Sequence, residues 1–111
     1  MNTSVNFELA KLLKEKKFEI PSSVVYHVAS GTLVYAFSAM SNTEFEGRHV
    51  VAPTIAEVIM WLYDKHGIWI EVYYDNSKKE FYTVLDGEEY KFNSPTEAYK
   101  AAIEYVLTKI I

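Results

Sequence analysis

The sequence predicts an α+β fold of three helices and an antiparallel sheet, in the order α-β-β-α-β-β-β-α. Three stretches carry apolar residues at helical spacing, and two of them begin with a capping box. The stretches between these helices are rich in β-branched and aromatic residues and are joined by short turns. Short turns connect antiparallel strands, whereas parallel strands need long crossovers. We therefore expect antiparallel pairing throughout.

The composition limits the class of protein. Of 111 residues, 50% are apolar and 15% are aromatic, which is typical of a globular domain, and we expect residues 1–111 to form a single domain. The formal net charge of −4 argues against a nucleic-acid partner, because phosphate binding requires clustered lysine and arginine. The absence of cysteine excludes disulfides, thiol catalysis and cysteine-ligated zinc.

The location of the chain is predicted from its hydrophobic runs. The N-terminal stretch "MNTSVNFELAKLLKEKK" lacks the apolar core of a signal peptide. No run approaches the ~20 apolar residues of a membrane span. We therefore expect a cytoplasmic protein that makes no membrane contact.

The first predicted helix has an apolar face and a charged face. At ~100° per residue, its apolar face comprises Val5, Leu9, Leu12 and Leu13. Thr3, Ser4 or Asn6 is expected to cap its N-terminus. Its lysines are Lys11, Lys14, Lys16 and Lys17. Acidic residues interrupt these lysines, so we interpret them as a solvated surface; a nucleic-acid site is the alternative that the acidic composition disfavours.

Strands are predicted on both sides of the second helix. The runs "VVYHVA" and "TLVYAFSA" flank Ser30-Gly31, which predicts a hairpin. After the second helix, "IWIEVYYD", "EFYTVL" and "EYKF" predict a three-stranded meander. Asp86-Gly87 is expected to form the tight turn before its last strand.

The second and third helices carry the clearest local signals. Thr54-x-x-Glu57 and Ser94-x-x-Glu97 are capping boxes, and Pro95 suits the first helical position. Gly67 is expected to end the second helix in the left-handed conformation. The apolar stripe of the second helix is predicted to comprise Ile55, Val58, Ile59, Leu62 and Tyr63.

Trp61 lies beside this predicted stripe. Its position is roughly 240° around the helix from Ile55, between Glu57 and Lys65. Two interpretations stay open on this evidence. The ring packs beneath the 39–50 loop as part of the core, or it is an exposed anchor for a protein partner.

The strand that follows places large aromatic and acidic side chains together. If residues 68–75 alternate as a strand does, Trp69, Glu71, Tyr73 and Asp75 share one face. Such a mixture suits an interface that meets both apolar surface and water. On the next strand this face continues through Tyr82 and Val84, or through Phe81, Thr83 and Leu85, since sequence alone does not fix the register.

Few residues suggest catalysis or metal binding. The histidines are His27, His49 and His66, and no two have the spacing of metal ligands. We therefore expect no metal and no cofactor. His66 is expected to interact with the end of the second helix. An alternative pocket between the sheet and the 39–50 loop would use His49, Glu46 and Tyr35 as a ligand-binding or enzymatic site.

Three stretches resemble a known group of proteins: "ELAKLLKEKKFEIP", "APTIAEVIMWLYDKHGIWIEV" and "FNSPTEAYKAAIEYVL". Together they are similar to small proteins of unknown function that are encoded by gut bacteria and by their phages or integrated elements. The resemblance covers about two-thirds of the chain and departs at Lys17, where glycine is usual. It implies an accessory protein of a mobile element and carries no catalytic residues.

The sequence thus predicts a non-enzymatic domain that binds another protein or a second copy of itself. Trp61, Trp69 and Tyr73 are the predicted contact residues. A small enzyme or ligand-binding protein built on the pocket of His49, Glu46 and Tyr35 is the alternative.

Overall fold

The computed structural model of the protein describes residues 4–42 and 47–111. They fall into two compact units divided after Thr54. The first unit contains helix α1 (Phe7–Glu15) and strands β1 (Ser22–His27), β2 (Thr32–Met40) and β3 (His49–Val51). The second contains helix α2 (Ile55–His66), strands β4 (Tyr73–Asp75), β5 (Glu80–Leu85) and β6 (Glu88–Phe92), and helix α3 (Pro95–Tyr105). The predicted α+β class is confirmed, and the elements follow the predicted order with one added short strand, β3, between β2 and α2. A single domain over residues 1–111 stays a prediction.

The first unit is built on an antiparallel sheet of strand order β2-β1-β3. The predicted hairpin joins β1 to β2, with His27 opposite Thr32. β3 overlaps the end of the predicted 39–50 loop, and its His49 lies opposite the same His27. The buried apolar side chains of this unit include Val5, Leu9, Ala10, Leu13, Phe18, Val25, Val50, Val51 and Ala52.

Gly31 closes the hairpin in a position that requires glycine. Its φ of +69° lies in the left-handed region, which side chains with a Cβ disfavour. A Cβ at this position would also lie only 3.2 Å from Cδ2 of Phe7 on α1. The absence of a side chain at Gly31 therefore allows the turn to lie in close contact with α1.

Both ends of α1 are capped by local hydrogen bonds. Of the three predicted capping residues, Asn6 is the N-cap, and its Oδ1 accepts a hydrogen bond from the backbone N–H of Leu9 at 2.9 Å. At the other end, the N–H of Lys17 donates to the carbonyl of Lys14, and the N–H of Phe18 donates to that of Leu13. This is a Schellman motif, in which a left-handed residue, here Lys17 with φ +65°, turns the chain away.

Replacing Lys17 with glycine is expected to stabilise the protein. A residue with a Cβ is strained in the left-handed region, and glycine removes that strain at the expense of a more flexible unfolded chain. We expect Lys17→Gly to raise the free energy of unfolding by about 0.5–1 kcal/mol, measured by urea denaturation. Lys16→Gly is the control, since Lys16 has φ −89°, and it is expected to destabilise. Equal changes in the free energy of unfolding for the two substitutions would contradict the left-handed conformation of Lys17.

Asn42 links two parts of the first unit. Its side chain is buried, its Nδ2 donates to the carbonyl of Phe18 at 3.0 Å, and its Oδ1 accepts from the N–H of Val51 at 2.9 Å. Asparagine suits this position because a single side chain supplies both a donor and an acceptor. The chain after α1 is thereby connected to β3.

In the second unit, α2 buries a different face from the predicted one. Its buried residues are Ile55, Val58, Trp61 and Leu62. Tyr63, predicted in the stripe, is exposed, and Ile59 is only half-buried. The buried face is rotated by roughly 60° from the predicted stripe, toward Val58 and Trp61. The prediction was wrong here because it weighted all apolar residues equally, whereas the largest ring takes the buried position.

The expected ending of α2 is observed. Gly67 is left-handed, with φ +66°, and its N–H donates to the carbonyl of Tyr63 at 3.0 Å. The N–H of Ile68 donates to the carbonyl of Leu62. These bonds satisfy carbonyls that the helix itself leaves open.

The second sheet is the predicted meander, with strand order β4-β5-β6. Asp86 and Gly87 form its last turn with positive φ at both positions, as expected for this dipeptide. α3 begins as predicted, with the Ser94 hydroxyl accepting from the N–H of Glu97 and Pro95 in the first turn. A π-helical segment, Val106–Ile110, continues α3.

The predicted strand over residues 68–75 is shorter than expected. Only Tyr73–Asp75 joins the β-ladder. Before Tyr73, the hydroxyl of buried Thr83 donates to the carbonyl of Glu71 at 2.9 Å. A side chain of β5 therefore satisfies a backbone carbonyl in the segment before β4, where the ladder itself does not reach.

Candidate functional site

Large exposed rings of the second unit line an open groove of about 300 Å³. Among the residues lining this groove, which we call the aromatic groove, are Trp69, Glu71, Tyr73, Val84, Tyr105 and Ile110. Trp69 is 55% exposed and Tyr73 is 43% exposed. Rings of this size at half exposure combine apolar surface with a polar edge, which is typical of binding surfaces.

Alternation along residues 68–73 explains why these rings face outward. Ile70 is buried, whereas Trp69, Glu71 and Tyr73 are exposed. The face predicted for Trp69, Glu71 and Tyr73 is therefore observed, although most of the segment lies outside the ladder. The apolar side chains between them hold the segment against the rest of the unit.

Neighbouring rings hold the two exposed aromatic side chains in place. The ring of Tyr73 stacks on that of Tyr82, with centroids 5.2 Å apart and an interplanar angle of 23°. Trp69 contacts Tyr63 edge-on, with centroids 5.5 Å apart. Aromatic pairs of this kind stabilise defined orientations. Binding at the groove would therefore need little further ordering of its rings.

The register of the sheet decides how the face continues. Tyr73 lies opposite Tyr82, and directly opposed residues of an antiparallel pair share a face. Of the two alternatives left open by the sequence, the face therefore continues through Tyr82 and Val84. Phe81, Thr83 and Leu85 belong to the other face of the strand, and Thr83 and Leu85 also line the groove.

Acidic groups raise the pKa of two tyrosines at or near the groove. The Tyr73 hydroxyl donates a hydrogen bond to Glu71, and this bond, together with the charge of Glu71, raises the pKa of Tyr73. Glu88, acting through its charge and through a hydrogen bond, raises the pKa of Tyr90, with smaller contributions from Tyr105 and Asp86. Both shifts indicate negative potential, since a carboxylate disfavours the phenolate.

The formal charge of the chain is concentrated in the same unit. Residues 55–111 contain ten acidic and six basic residues, and their formal charge of −4 equals that of the whole chain. Residues 1–54 contain five of each and are neutral overall. The aromatic groove therefore lies in the acidic half of the molecule.

Trp61 does not contribute to this surface. Its side chain is only 3% exposed, and its ring contacts that of His66 edge-on, with centroids 4.9 Å apart. Of the two interpretations of Trp61, the structure shows the ring buried; its predicted packing beneath the 39–50 loop stays a prediction. The predicted role of Trp61 as an exposed contact is corrected accordingly, because the rotation of α2 turns this ring inward.

Two residues of the alternative pocket, Tyr35 and His49, lie apart in the structure. Glu46 lies outside the described residues. Tyr35 on β2, 79% exposed, lies opposite Val24, whereas His49 on β3 lies opposite His27. Val24 and His27 are an odd number of residues apart on β1, so Tyr35 and His49 lie on opposite faces of the sheet. The structure does not bring this pair together.

The structure does bring two histidines together that sequence spacing did not suggest. The rings of His27 and His49 contact edge-on, with centroids 5.1 Å apart, because their strands are neighbours in the sheet. In residues 4–42 and 47–111, no three His, Asp or Glu side chains converge as metal ligands. This contact could not be predicted without knowing that β1 pairs with β3. A 3-residue strand such as β3 gives no clear sequence signal.

The lysines of α1 show local contacts typical of a solvated surface. Lys11 Nζ lies 3.2 Å from an oxygen of Glu8 and 4.6 Å from the centroid of the Phe7 ring. Across the part of the chain that the structure describes, no helix combines the length and the apolar character needed to cross a bilayer.

Comparison of the chain with family models, with curated proteins and with solved structures gives no match. The interpretation of the aromatic groove accordingly depends on its own geometry and charge.

Proposed function

We propose that this protein is a non-enzymatic interaction domain, associated with a mobile element, that binds a protein partner through the aromatic groove. The observation that supports docking most strongly is the exposure of Trp69 beside Tyr73 on one groove. Association with a mobile element is supported by the sequence resemblance.

The groove has the composition of an interface centre. Tryptophan and tyrosine are enriched among the residues that dominate binding free energy, and they act best when a partner excludes water around them. Each such ring buries about 150–250 Å² when fully covered. Trp69 and Tyr73 together therefore offer apolar area that a partner can remove from water, in a geometry that neighbouring rings already fix.

The pocket alternative has less support. It requires Tyr35 and His49 to act on one ligand, and they lie on opposite faces of their sheet. The aromatic groove, by contrast, assembles Trp69 and Tyr73, two of the three residues predicted for partner contact.

Site-directed photocrosslinking tests the docking proposal. A benzophenone amino acid at position 73 is expected to form a discrete adduct with a partner in cells that express the chain. The same group at position 35 is the matched control, because Tyr35 is a more exposed tyrosine far along the sequence in the other unit. Little or no adduct is expected from position 35.

Trp69→Ala is expected to weaken partner binding by about tenfold or more, because it removes a large interface ring. The loss would appear as a loss of the adduct from position 73. Circular dichroism is expected to show an unchanged fold, since Trp69 is more than half exposed. Adducts of equal yield from positions 35 and 73, or an adduct insensitive to Trp69→Ala, would contradict docking at the groove.

A further inference from the structure

We propose that the occupant of the aromatic groove is a cationic protein segment that presents arginine or lysine next to an apolar anchor; this inference rests on the proposed docking function. It follows from the charges around the groove, from the hydrogen bonding of Glu71 and from the exposed aromatic faces.

The groove is lined by acids and not by bases. Glu71 and Asp86 both line it, and no lysine or arginine is found among its described lining residues. Glu88 lies near Asp86, since both act on the pKa of Tyr90. A segment that covers the groove would therefore place its own side chains among carboxylates, which favours positive charge.

The geometry of Glu71 suits a donor from outside the chain. Tyr73 donates to its Oε2, and Oε1 has no hydrogen-bond partner in the described part of the chain. The backbone of Glu71 is fixed by the Thr83 hydroxyl. The carboxylate is thus oriented by its hydrogen bond from Tyr73 on a backbone that Thr83 fixes, and it retains acceptor capacity, which a guanidinium or ammonium group fills with a charge-assisted hydrogen bond.

The aromatic faces add a second attraction for cations. Trp69 and Glu71 are exposed on the same side of their segment, at alternating positions. Tryptophan binds cations over its face more strongly than the other aromatic residues do. An arginine at Glu71 lies within reach of such a face, and its planar group stacks on aromatic rings as well as pairing with carboxylates.

The same charges disfavour other occupants. In a symmetric dimer formed through the groove, the same acidic surface, with Glu71 and Asp86, would lie on both sides of the interface. Like charges opposed across an interface weaken association. Nucleic acid and anionic membranes carry the same sign of charge and are repelled by residues 55–111 as well.

Three synthetic peptides test the inference directly. They share the same leucine and tyrosine positions and differ only in carrying arginine, glutamine or glutamate at the remaining positions. Binding to the full chain is measured by isothermal titration calorimetry. We expect the arginine peptide to bind at least about tenfold more tightly than the glutamine peptide, and the glutamate peptide not to bind. The affinity of the arginine peptide is expected to fall severalfold between about 50 and 300 mM NaCl.

Two matched variants locate the site. Glu71→Gln is expected to weaken binding of the arginine peptide by about five- to tenfold and to reduce its salt dependence. Glu15→Gln makes the same change in charge at an exposed position of α1, and it is expected to leave the affinity unchanged. Trp69→Ala is expected to weaken both the arginine and the glutamine peptide, and the arginine peptide more, because the aromatic face for the guanidinium group is lost with the ring.

The outcomes separate this inference from the proposed function. Equal binding of the arginine and glutamine peptides, lost on Trp69→Ala, would overturn the cationic partner and leave docking at the groove in place. A dimer in sedimentation equilibrium that Trp69→Ala dissociates would also overturn it, in favour of a second copy. Failure of the arginine peptide to bind, or equal effects of Glu71→Gln and Glu15→Gln, would overturn the inference as well. Docking itself fails if the adduct from position 73 is insensitive to Trp69→Ala, or if positions 35 and 73 give equal adduct yields.

Discussion

Replacing Trp61 with alanine is expected to lower the free energy of unfolding by about 3–5 kcal/mol. The side chain is almost fully buried, on the same face of α2 as Val58 and Leu62, both of which have no exposed surface. Removing the ring loses its transfer free energy and leaves a cavity that the packed helix face fills only in part. This loss is a large fraction of the total stability of an ordinary domain.

Trp69→Ala is the matched control for this substitution. The same change at a half-exposed ring is expected to lower stability by about 1 kcal/mol or less. Urea denaturation followed by far-ultraviolet circular dichroism measures both variants with a probe that does not depend on tryptophan fluorescence. If the two variants lost similar stability, the assignment of Trp61 to the core and Trp69 to the surface would be wrong.

Replacing Asn42 with alanine is expected to lower the free energy of unfolding by about 2–4 kcal/mol. The substitution removes two hydrogen bonds at once, those to the carbonyl of Phe18 and to the N–H of Val51. Val51 is fully buried, so its N–H has no route to bulk water after the change. A buried donor without a partner loses its hydration with no compensation, and this penalty exceeds the modest net stabilisation of an ordinary hydrogen bond.

Amide hydrogen exchange identifies the origin of that loss. In Asn42→Ala, the Val51 amide is expected to lose more protection than amides of β1 that bond to β2, because its own acceptor is gone. Asn76→Ala is the control, since Asn76 is exposed in the turn after β4, and it is expected to change stability by less than about 0.5 kcal/mol. Unchanged protection at Val51 would show that the Asn42 bridge is not formed in solution.

Features that depend on neighbouring residues alone were predicted well from the sequence. The Ser94 cap, the left-handed Gly67 and the Asp86-Gly87 turn each involve residues within a few positions of one another. Their conformations follow from backbone sterics and from local hydrogen bonds, which act in any tertiary setting. The α+β class follows too, because short turns between strand-forming runs require antiparallel pairing.

Features that depend on packing were predicted less well. The buried face of α2 differs from the predicted stripe because apolar residues cover more than half of its circumference, so periodicity permits more than one inward orientation. Tertiary contacts select the face that contains Trp61. The contribution of Trp61 to partner contact was predicted from that undetermined angle, and the structure places the ring inside.

The candidate site was predicted in part. Alternation in the sequence places Trp69 with Tyr73, and the structure shows both exposed on one groove. Val84 and Tyr105 join them only through the register of β5 and the packing of α3, which sequence spacing does not specify. The convergence of His27 with His49 depends in the same way on which strands become neighbours.

The sequence by itself determined the α+β class, the Ser94 cap at the start of α3, the end of α2 at Gly67, and the outward alternation of Trp69 and Tyr73. Only the tertiary structure decided which face of α2 is buried, which strands pair and in what register, and which polar group Asn42 satisfies. The physical reason is range: caps and turns are stabilised within a few residues, whereas burial and strand register depend on surfaces contributed by distant segments.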